Sequence, residues 1–155
     1  SALHQKSFPA LVQEIKNTNK QIHHISPKDL HAIASNSNSS SETPSRSPPP
    51  QVIDVRERHE IEATGTIPGA IVLPRGILER DVGKFLKQTD PRDVVVYCAG
   101  GMRSVLAAES LVRLGYGNID DDNDVAENKD KPRVWSLNEG FDGWIKNGFE
   151  VEKKK

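Results

Sequence analysis

The single cysteine of the chain lies where a hydrophobic segment meets a glycine-rich loop. Residues 94–104 read VVVYCAGGMRS, so Cys98 follows three valines and a tyrosine and precedes two glycines and Arg103. Adjacent glycines permit positive φ angles, with which several main-chain N–H groups can turn toward one point. Those donors, the start of a following helix and the Arg103 guanidinium would favour an anion there. We therefore expect Cys98 to be a nucleophilic thiolate, stabilised by Arg103 and the N–H groups of residues 99–103.

The same eleven residues also have an ordinary structural interpretation. Free cysteine is often a small, buried and unreactive side chain, and two glycines can simply form a turn between a strand and a helix. The location of Cys98 argues for a site, because ligands of open parallel sheets bind beyond the carboxyl ends of the strands. Both interpretations remain open on these residues alone.

The segments that must position Cys98 alternate between short apolar runs and amphipathic stretches. This alternation predicts an α/β fold in which a mostly parallel five-stranded sheet is covered by helices on both faces. One predicted helix has Ile77, Leu78, Val82, Phe85 and Leu86 on its buried side and runs to about Lys87. The predicted strands are Ile22–Ile25, 52–56, Ala70–Leu73, Val94–Tyr97 and the run from Val134 to Leu137.

The composition excludes several classes of function. The formal net charge is −1, from 21 basic and 22 acidic residues, without a basic stripe, so we expect no nucleic-acid partner. No apolar run approaches the ~18 residues of a membrane span, so we expect no membrane association. One cysteine cannot form an intrachain disulfide, which favours a reducing compartment, the mitochondrial matrix or the cytoplasm. His23, His24 and His31 lack a cysteine or carboxylate at ligand spacing, so no metal site is expected.

Composition also suggests how the chain is divided. Residues 1–20 are predicted to form an N-terminal helical extension and residues 21–151 one α/β domain, followed by a basic tail at 152–155. Two polar segments, at about 35–50 and 120–132, have too few apolar side chains to offset the entropy of ordering. They are predicted to be flexible insertions.

Charged residues near the predicted strand ends have more than one interpretation. Asp54 could accept hydrogen bonds from the cysteine loop, or it could be a buried carboxylate paired with a nearby arginine; either way it supports the site. Arg56 is expected to pair with Glu60 in an i,i+4 arrangement. Arg75 could attract an anionic ligand, or it could simply be solvated.

Four segments together resemble the single-domain rhodaneses, the thiosulfate sulfurtransferase family. They are IDVRERHEI at 53–61, GTIPGAIVLP at 65–74, VVVYCAGGMRS at 94–104 and LNEGFDGWIKNGFEV at 137–151. The resemblance covers about residues 20–150 and implies a three-layer α/β/α rhodanese-like domain. Two positions depart from the family pattern: Thr66 replaces a histidine, and Glu139 replaces the first glycine of a Gly-Gly pair, so the loop facing the site is expected to sit differently.

The resemblance implies sulfur transfer in two steps, with Cys98 as the catalytic residue. The thiolate takes the outer sulfur of a small anionic donor such as thiosulfate, and the persulfide passes it to cyanide, a thiol or a protein acceptor. No metal or organic cofactor is required, and we expect a monomer. The substrate-binding residues are expected to be Ala99, Gly100, Gly101, Met102, Arg103 and Arg75, with Asp54 and Ser104 in support.

Two other functions remain as alternatives. The same fold resembles phosphatases whose loop has five residues between cysteine and arginine, whereas four separate Cys98 from Arg103 here. The shorter loop suits a sulfur atom better than a phosphoryl group, and arsenate reduction would also need a second cysteine to resolve a mixed disulfide. A rhodanese-like module that only binds a partner would not require Cys98 within an intact loop.

Overall fold

The computed structural model describes residues 5–35, 49–117 and 132–153 of the 155-residue chain. Most of the two predicted polar insertions, and the end of the basic tail, lie outside these residues. No helix within the described part of the chain is long and apolar enough to cross a membrane. The helices are α1 (Phe8–Thr18), α2 (Pro27–Ser35), α3 (Arg58–Thr64), α4 (Leu78–Asp81), α5 (Arg103–Arg113) and α6 (Gly140–Lys146). The strands are β1 (Ile22–Ile25), β2 (Gln51–Asp54), β3 (Ile71–Val72), β4 (Val94–Tyr97) and β5 (Val134–Leu137).

The five described strands form one sheet in the order β1-β5-β4-β2-β3, and every pairing is parallel. Strand β4 lies at the centre, with β5 on one side and β2 on the other, and all four of its residues are buried. A strand buried on both faces is continuously hydrophobic, which is why its sequence contains three valines and a tyrosine. The prediction of a five-stranded, mostly parallel sheet is confirmed, and its carboxyl edge is the edge at which Cys98 lies.

Alternate side chains of β4 point into two separate cores, as the period of two in a strand requires. Val94 and Val96 pack with residues of α1, α4 and α5, while Val95 and Tyr97 pack with residues of α2 and α6. Helices therefore cover both faces of the sheet, as predicted. Helix α1 contributes Val12 and Ile15 to the first core, although the sequence places it in an N-terminal extension.

The predicted helix from Ile77 to about Lys87 is wrong in its regularity and in one of its buried residues. The backbone forms a 3₁₀ turn at Arg75–Ile77, the short helix α4, and a second 3₁₀ turn at Val82–Lys84. Phe85 is 53% exposed, whereas Leu86 is buried. A 3₁₀ turn has three residues per turn, whereas an α-helix has 3.6. The α-helical period therefore places Phe85 on the buried side, although its side chain is exposed.

Candidate active site

Cys98 lies directly after β4, at the carboxyl edge of the sheet, and is 1% exposed. Its sulfur accepts hydrogen bonds from two main-chain N–H groups, that of Gly101 at 3.2 Å and that of Ser104 at 3.3 Å. Gly101 has a φ of 102°, a conformation that glycine adopts at no steric cost and that turns the loop toward the sulfur. Of the N–H groups predicted at residues 99–103, that of Gly101 donates to the sulfur, and the second donor, Ser104, lies one residue beyond that range.

The loop ends where α5 begins, at Arg103, so the sulfur faces the first turn of an eleven-residue helix. Unpaired N–H groups give a helix start a partial positive charge, which favours a negatively charged sulfur. The Ser104 hydroxyl shares a 2.8 Å hydrogen bond with the hydroxyl of Ser136 on β5, which fixes the helix start to the sheet. Ser104 thus connects the helix start to β5 and supplies one of the two N–H donors to the sulfur.

The remaining residues of the loop, Ala99, Gly100 and Met102, are more exposed than Cys98. Gly100 and Met102 are exposed, Met102 by 42%, and Ala99 is half-buried. The role of these three residues in binding the donor stays a prediction.

Helix α6 closes the loop from the other side. The N–H groups of Phe141 and Asp142 donate to the carbonyl oxygens of Cys98 and Ala99, at 2.8 and 2.9 Å. These bonds satisfy free N–H groups at the start of α6. A Cβ atom on Gly140 would overlap the Cys98 carbonyl oxygen and would lie 2.6 Å from that of Ala99. Sequence reasoning did not single out Gly140, although it is the second residue of the family's Gly-Gly pair.

Glu139 has a φ of 64°, and it is the only residue other than glycine with a positive φ in the described part of the chain. This left-handed conformation is strained for a residue with a side chain. The main-chain nitrogen of Glu139 lies 3.0 Å from the position that a Cβ atom on Gly101 would occupy. Glu139 therefore has a backbone conformation typical of glycine, and its main chain packs against Gly101 of the cysteine loop.

The guanidinium of Arg103 is bound to Glu60 on α3, by hydrogen bonds of 3.0 Å to each carboxylate oxygen. Glu60 also accepts the N–H of Glu57 at 2.9 Å, which caps α3. The hydrogen bonds from Arg103 are the main cause that lowers the pKa of Glu60 to about 2. The sequence did not reveal this pair, because its members are 43 positions apart.

The predicted pairing of Arg56 with Glu60 is wrong. Arg56 instead donates to both carboxylate oxygens of Asp54, with Nη2 at 2.7 Å from Oδ2, and both side chains are buried. A bidentate bond to a buried carboxylate is stronger than an exposed i,i+4 pair, so Asp54 determines the direction of the arginine. Of the two interpretations of Asp54, the structure shows the buried carboxylate paired with an arginine.

Arg56 connects this pair to the helix that closes the loop. Its guanidinium lies 4.1 Å from the centre of the Phe141 ring, a cation–π contact, and also donates to the carbonyl of Gly65. Phe141 is the residue whose N–H holds the carbonyl of Cys98. Asp54 and Arg56 therefore support the cysteine loop through α6.

Arg75, which was expected near the anionic donor, is bound to residues of α4 and α5. Its guanidinium donates to Glu79 at 2.9 Å and to the hydroxyl of Ser110 at 3.3 Å. Ser110 lies seven residues after Arg103 on α5, about 10 Å along the helix axis from the loop. A carboxylate and a hydroxyl thus bind the Arg75 guanidinium in this structure, and its contact with an anionic donor stays a prediction.

Thr66, the other departure from the family pattern, pairs with the end of the chain. Its N–H and carbonyl exchange 2.8 Å hydrogen bonds with Glu152 in an antiparallel bridge. The side chain is fully buried, and its hydroxyl has no hydrogen-bond partner. This position serves the packing of the C-terminal segment.

Comparison with known proteins agrees with this geometry. The model of the rhodanese-like domain family matches residues 37–147. A sulfurtransferase of Allochromatium vinosum is 32% identical over 100 residues, which cover 64% of this chain and 76% of the relative.

Solved structures share the fold. One from Rhodopseudomonas palustris, described as a protein of unknown function and possible tyrosine phosphatase, is 25% identical, covers 96% of each chain and superposes with a TM-score of 0.65. A thiosulfate sulfurtransferase of Pseudomonas aeruginosa is 23% identical, with 96% of this chain and 23% of that chain covered and a TM-score of 0.67. The family match spans most of the chain and includes the loop around Cys98, and the chain therefore belongs to the rhodanese-like domain family.

Proposed function

We propose that this protein is a sulfurtransferase that carries a sulfur atom on Cys98. The observation that supports this most directly is the pair of N–H groups, of Gly101 and Ser104, directed at the Cys98 sulfur at the start of α5. Fixed donors of this kind stabilise a thiolate and, after transfer, the negative charge of a persulfide. Membership of the rhodanese-like domain family and the sulfurtransferase of Allochromatium vinosum support the same reaction class.

The reaction proceeds in two displacements. In the first, the Cys98 thiolate attacks the outer sulfur of thiosulfate or a similar donor; the new S–S bond forms as the old one breaks, and sulfite leaves with the electron pair. In the second, cyanide or a thiolate attacks the terminal sulfur of the Cys98 persulfide, and the original thiolate is restored. The enzyme's own sulfur carries the group, so double-displacement kinetics follow.

Phosphate-ester hydrolysis is the second candidate, because the Rhodopseudomonas palustris protein of the same fold is described as a possible tyrosine phosphatase. Two features of this chain disfavour it. Only four residues separate Cys98 from Arg103, and both Nη atoms of Arg103 are bonded to Glu60. A phosphoryl group carries three oxygens that need donors as well as an in-line path for its leaving group.

Intact-mass measurement distinguishes these functions. The native protein is incubated with thiosulfate, desalted and weighed, then treated with cyanide. We expect it to gain one sulfur atom and to lose that atom as thiocyanate, while Cys98→Ser gains none. Because Cys98 is the only cysteine, the gain identifies its position.

Two results would contradict the proposal. Hydrolysis of an aryl phosphate without uptake of sulfur would assign the site to the phosphatases. Absence of both reactions in a folded protein, or equal activity in Cys98→Ser, would favour a module that only binds a partner.

A further inference from the structure

Three arginines follow strand ends or close the cysteine loop, and each is bound to a carboxylate of this chain. Arg56 and Arg75 follow β2 and β3, and Arg103 ends the loop. An arginine near a reactive cysteine ordinarily attracts anionic substrates, but a guanidinium already bonded to a carboxylate adds little net charge. The nitrogen–oxygen distances are 2.7 Å for Arg56–Asp54, 2.9 Å for Arg75–Glu79 and 3.0 Å for Arg103–Glu60.

The Arg103–Glu60 pair matters most, because Arg103 belongs to the loop. Both nitrogens of the guanidinium fork are engaged by the two oxygens of Glu60, and Glu57 adds a second negative charge nearby. The side chains are only 33% and 25% exposed, so water screens their mutual attraction incompletely. The charge that Arg103 contributes at the opening is therefore largely cancelled.

The hydrogen-bond donors to the Cys98 sulfur are main-chain N–H groups, of Gly101 and of Ser104 at the start of α5, while Arg103, whose charge also acts on the sulfur, gives its hydrogen bonds to Glu60. The main-chain dipoles stabilise one negative charge on a compact sulfur atom, but they do not balance a second charge on the donor. Thiosulfate is a dianion, whereas a hydropersulfide, R–S–SH, carries at most one negative charge on its sulfurs.

We propose that Glu60 is a specificity-determining residue that neutralises Arg103 and makes a hydropersulfide, and not dianionic thiosulfate, the preferred sulfur donor of Cys98. This inference rests on the proposed function. In the transfer, the Cys98 thiolate attacks the terminal sulfur of R–S–SH. A bond forms between the Cys98 sulfur and the terminal sulfur as the S–S bond of the donor breaks, and R–S⁻ leaves with the electron pair. The proton stays on the transferred sulfur, so charge and atoms balance without a further reactant.

The variant that tests the proposal is Glu60→Gln. Glutamine removes the charge but keeps a carbonyl oxygen that can accept from Arg103 and from the N–H of Glu57, so the cap of α3 is retained. The matched control is Glu62→Gln, which removes one charge from an exposed position of the same helix. Both proteins have the same net charge, and they differ in whether the lost carboxylate faces Arg103.

The first measurement does not depend on sulfur transfer. Alkylation of Cys98 is timed with uncharged iodoacetamide and with anionic iodoacetate, and the ratio of the two rates reports the field at the sulfur. We expect Glu60→Gln to raise the iodoacetate rate relative to iodoacetamide by about fivefold to tenfold, and Glu62→Gln to change it less than twofold. An unchanged ratio in Glu60→Gln would overturn the proposed role of Glu60.

The second measurement compares the rates at which Cys98 gains sulfur from thiosulfate and from a simple alkyl hydropersulfide. The native protein is expected to react faster with the hydropersulfide. Glu60→Gln should raise the ratio of the thiosulfate rate to the hydropersulfide rate about tenfold, and Glu62→Gln should change this ratio less than twofold. Faster loading of the native protein from thiosulfate, or equal changes for both donors, would overturn the donor preference. Failure to load from either donor would refute the proposed function and this preference with it, while the alkylation ratio would still decide the role of Glu60.

Discussion

At the scale of single residues, two adjacent positions next to Cys98 show how closely the backbone is packed. Gly140 faces the carbonyl oxygens of Cys98 and Ala99 with no room for a Cβ atom. Glu139 has the backbone of a glycine but carries a side chain. Space limits the side chain at Gly140, and the left-handed backbone limits it at Glu139. Adding a methyl group at Gly140 should therefore destabilise the protein, while removing the side chain of Glu139 should stabilise it.

Gly140→Ala is expected to slow sulfur loading of Cys98 at least tenfold and to destabilise the fold by about 2–3 kcal/mol. The added methyl group must displace the main-chain carbonyls of the loop, which moves the N–H donors off the sulfur. Urea unfolding and intact-mass loading rates measure the two effects. The control is Gly148→Ala: Gly148 also has a positive φ, of 80°, but a Cβ atom there meets nothing within 4 Å. Equal loading rates in the two variants would contradict this account of Gly140.

Glu139→Gly is expected to stabilise the protein by about 0.5–1 kcal/mol. Relief of the left-handed strain, about 1–2 kcal/mol, exceeds the extra freedom that glycine gives to the unfolded chain. The neighbouring Asn138 is exposed and not left-handed, so Asn138→Gly should destabilise instead. The urea midpoints of the two variants should move in opposite directions, and a loss of stability in Glu139→Gly would show that its side chain contributes more than the strain removes.

At the scale of elements, the segment from β2 to α3 joins the sheet to both sides of the cysteine loop. Asp54 and Arg56 form its buried ion pair and contact α6 through Phe141. Glu60, one helix turn into α3, holds Arg103 at the start of α5. One short stretch of chain therefore positions the two helices between which Cys98 lies.

The Arg92–Asp90 ion pair provides an exposed comparison for the buried Arg56–Asp54 ion pair. Arg92 contacts Asp90 as Arg56 contacts Asp54, through its N–H, Nε and Nη2, and at the same separation of two residues. The two pairs differ in burial, since the Arg92 side chain is 37% exposed, and Arg56 also contacts the Gly65 carbonyl and the Phe141 ring. Arg56→Lys is expected to cost about 3 kcal/mol of unfolding free energy and Arg92→Lys less than about 1 kcal/mol, as measured with urea. Equal losses would mean that neither burial nor the contacts with Gly65 and Phe141 makes the Arg56 pair more stabilising than the exposed one.

Most of the fold could be predicted from the sequence, whereas the partners of the charged residues could not. Continuous apolar runs such as Val94–Tyr97 predicted the strands, and the glycines after Cys98 predicted the loop. The i,i+4 spacing predicted that Arg56 pairs with Glu60. Arg56 instead binds the buried Asp54, and Glu60 binds Arg103. Contacts between residues 43 positions apart depend on how α3 and α5 pack, which no local pattern contains.

At the scale of the whole molecule, stability and pH are linked through the ion pair between α3 and α5. The pKa of Glu60 falls from 4.5 to about 2, mainly because Arg103 donates to its carboxylate. A folded-state pKa below the unfolded one means that this stabilisation is fully present above about pH 4.5 and disappears as the pH falls through 2.

The difference in unfolding free energy between native protein and Glu60→Gln should therefore shrink steadily from pH 4.5 to pH 2 and vanish below it. Urea unfolding at successive pH values measures this difference. Asp81, whose pKa is also lowered to about 2 by Arg80, titrates in both proteins and cancels. Glu62→Gln should keep the native slope, and a constant difference between native protein and Glu60→Gln across this range would contradict the linkage.

The loop around Cys98 is fastened from two directions, by α6 at its carbonyl oxygens and by α5 at its sulfur. A wider loop would have to break main-chain hydrogen bonds to α5 or α6. The conformational entropy of the loop is therefore lost when the chain folds and not when a donor binds. The amide hydrogens of Phe141 and Asp142 should consequently exchange with deuterium as slowly as those of the central strand. An incoming molecule therefore meets a loop whose main-chain contacts are already formed, and we expect it to be selected by its size and charge without a closing motion.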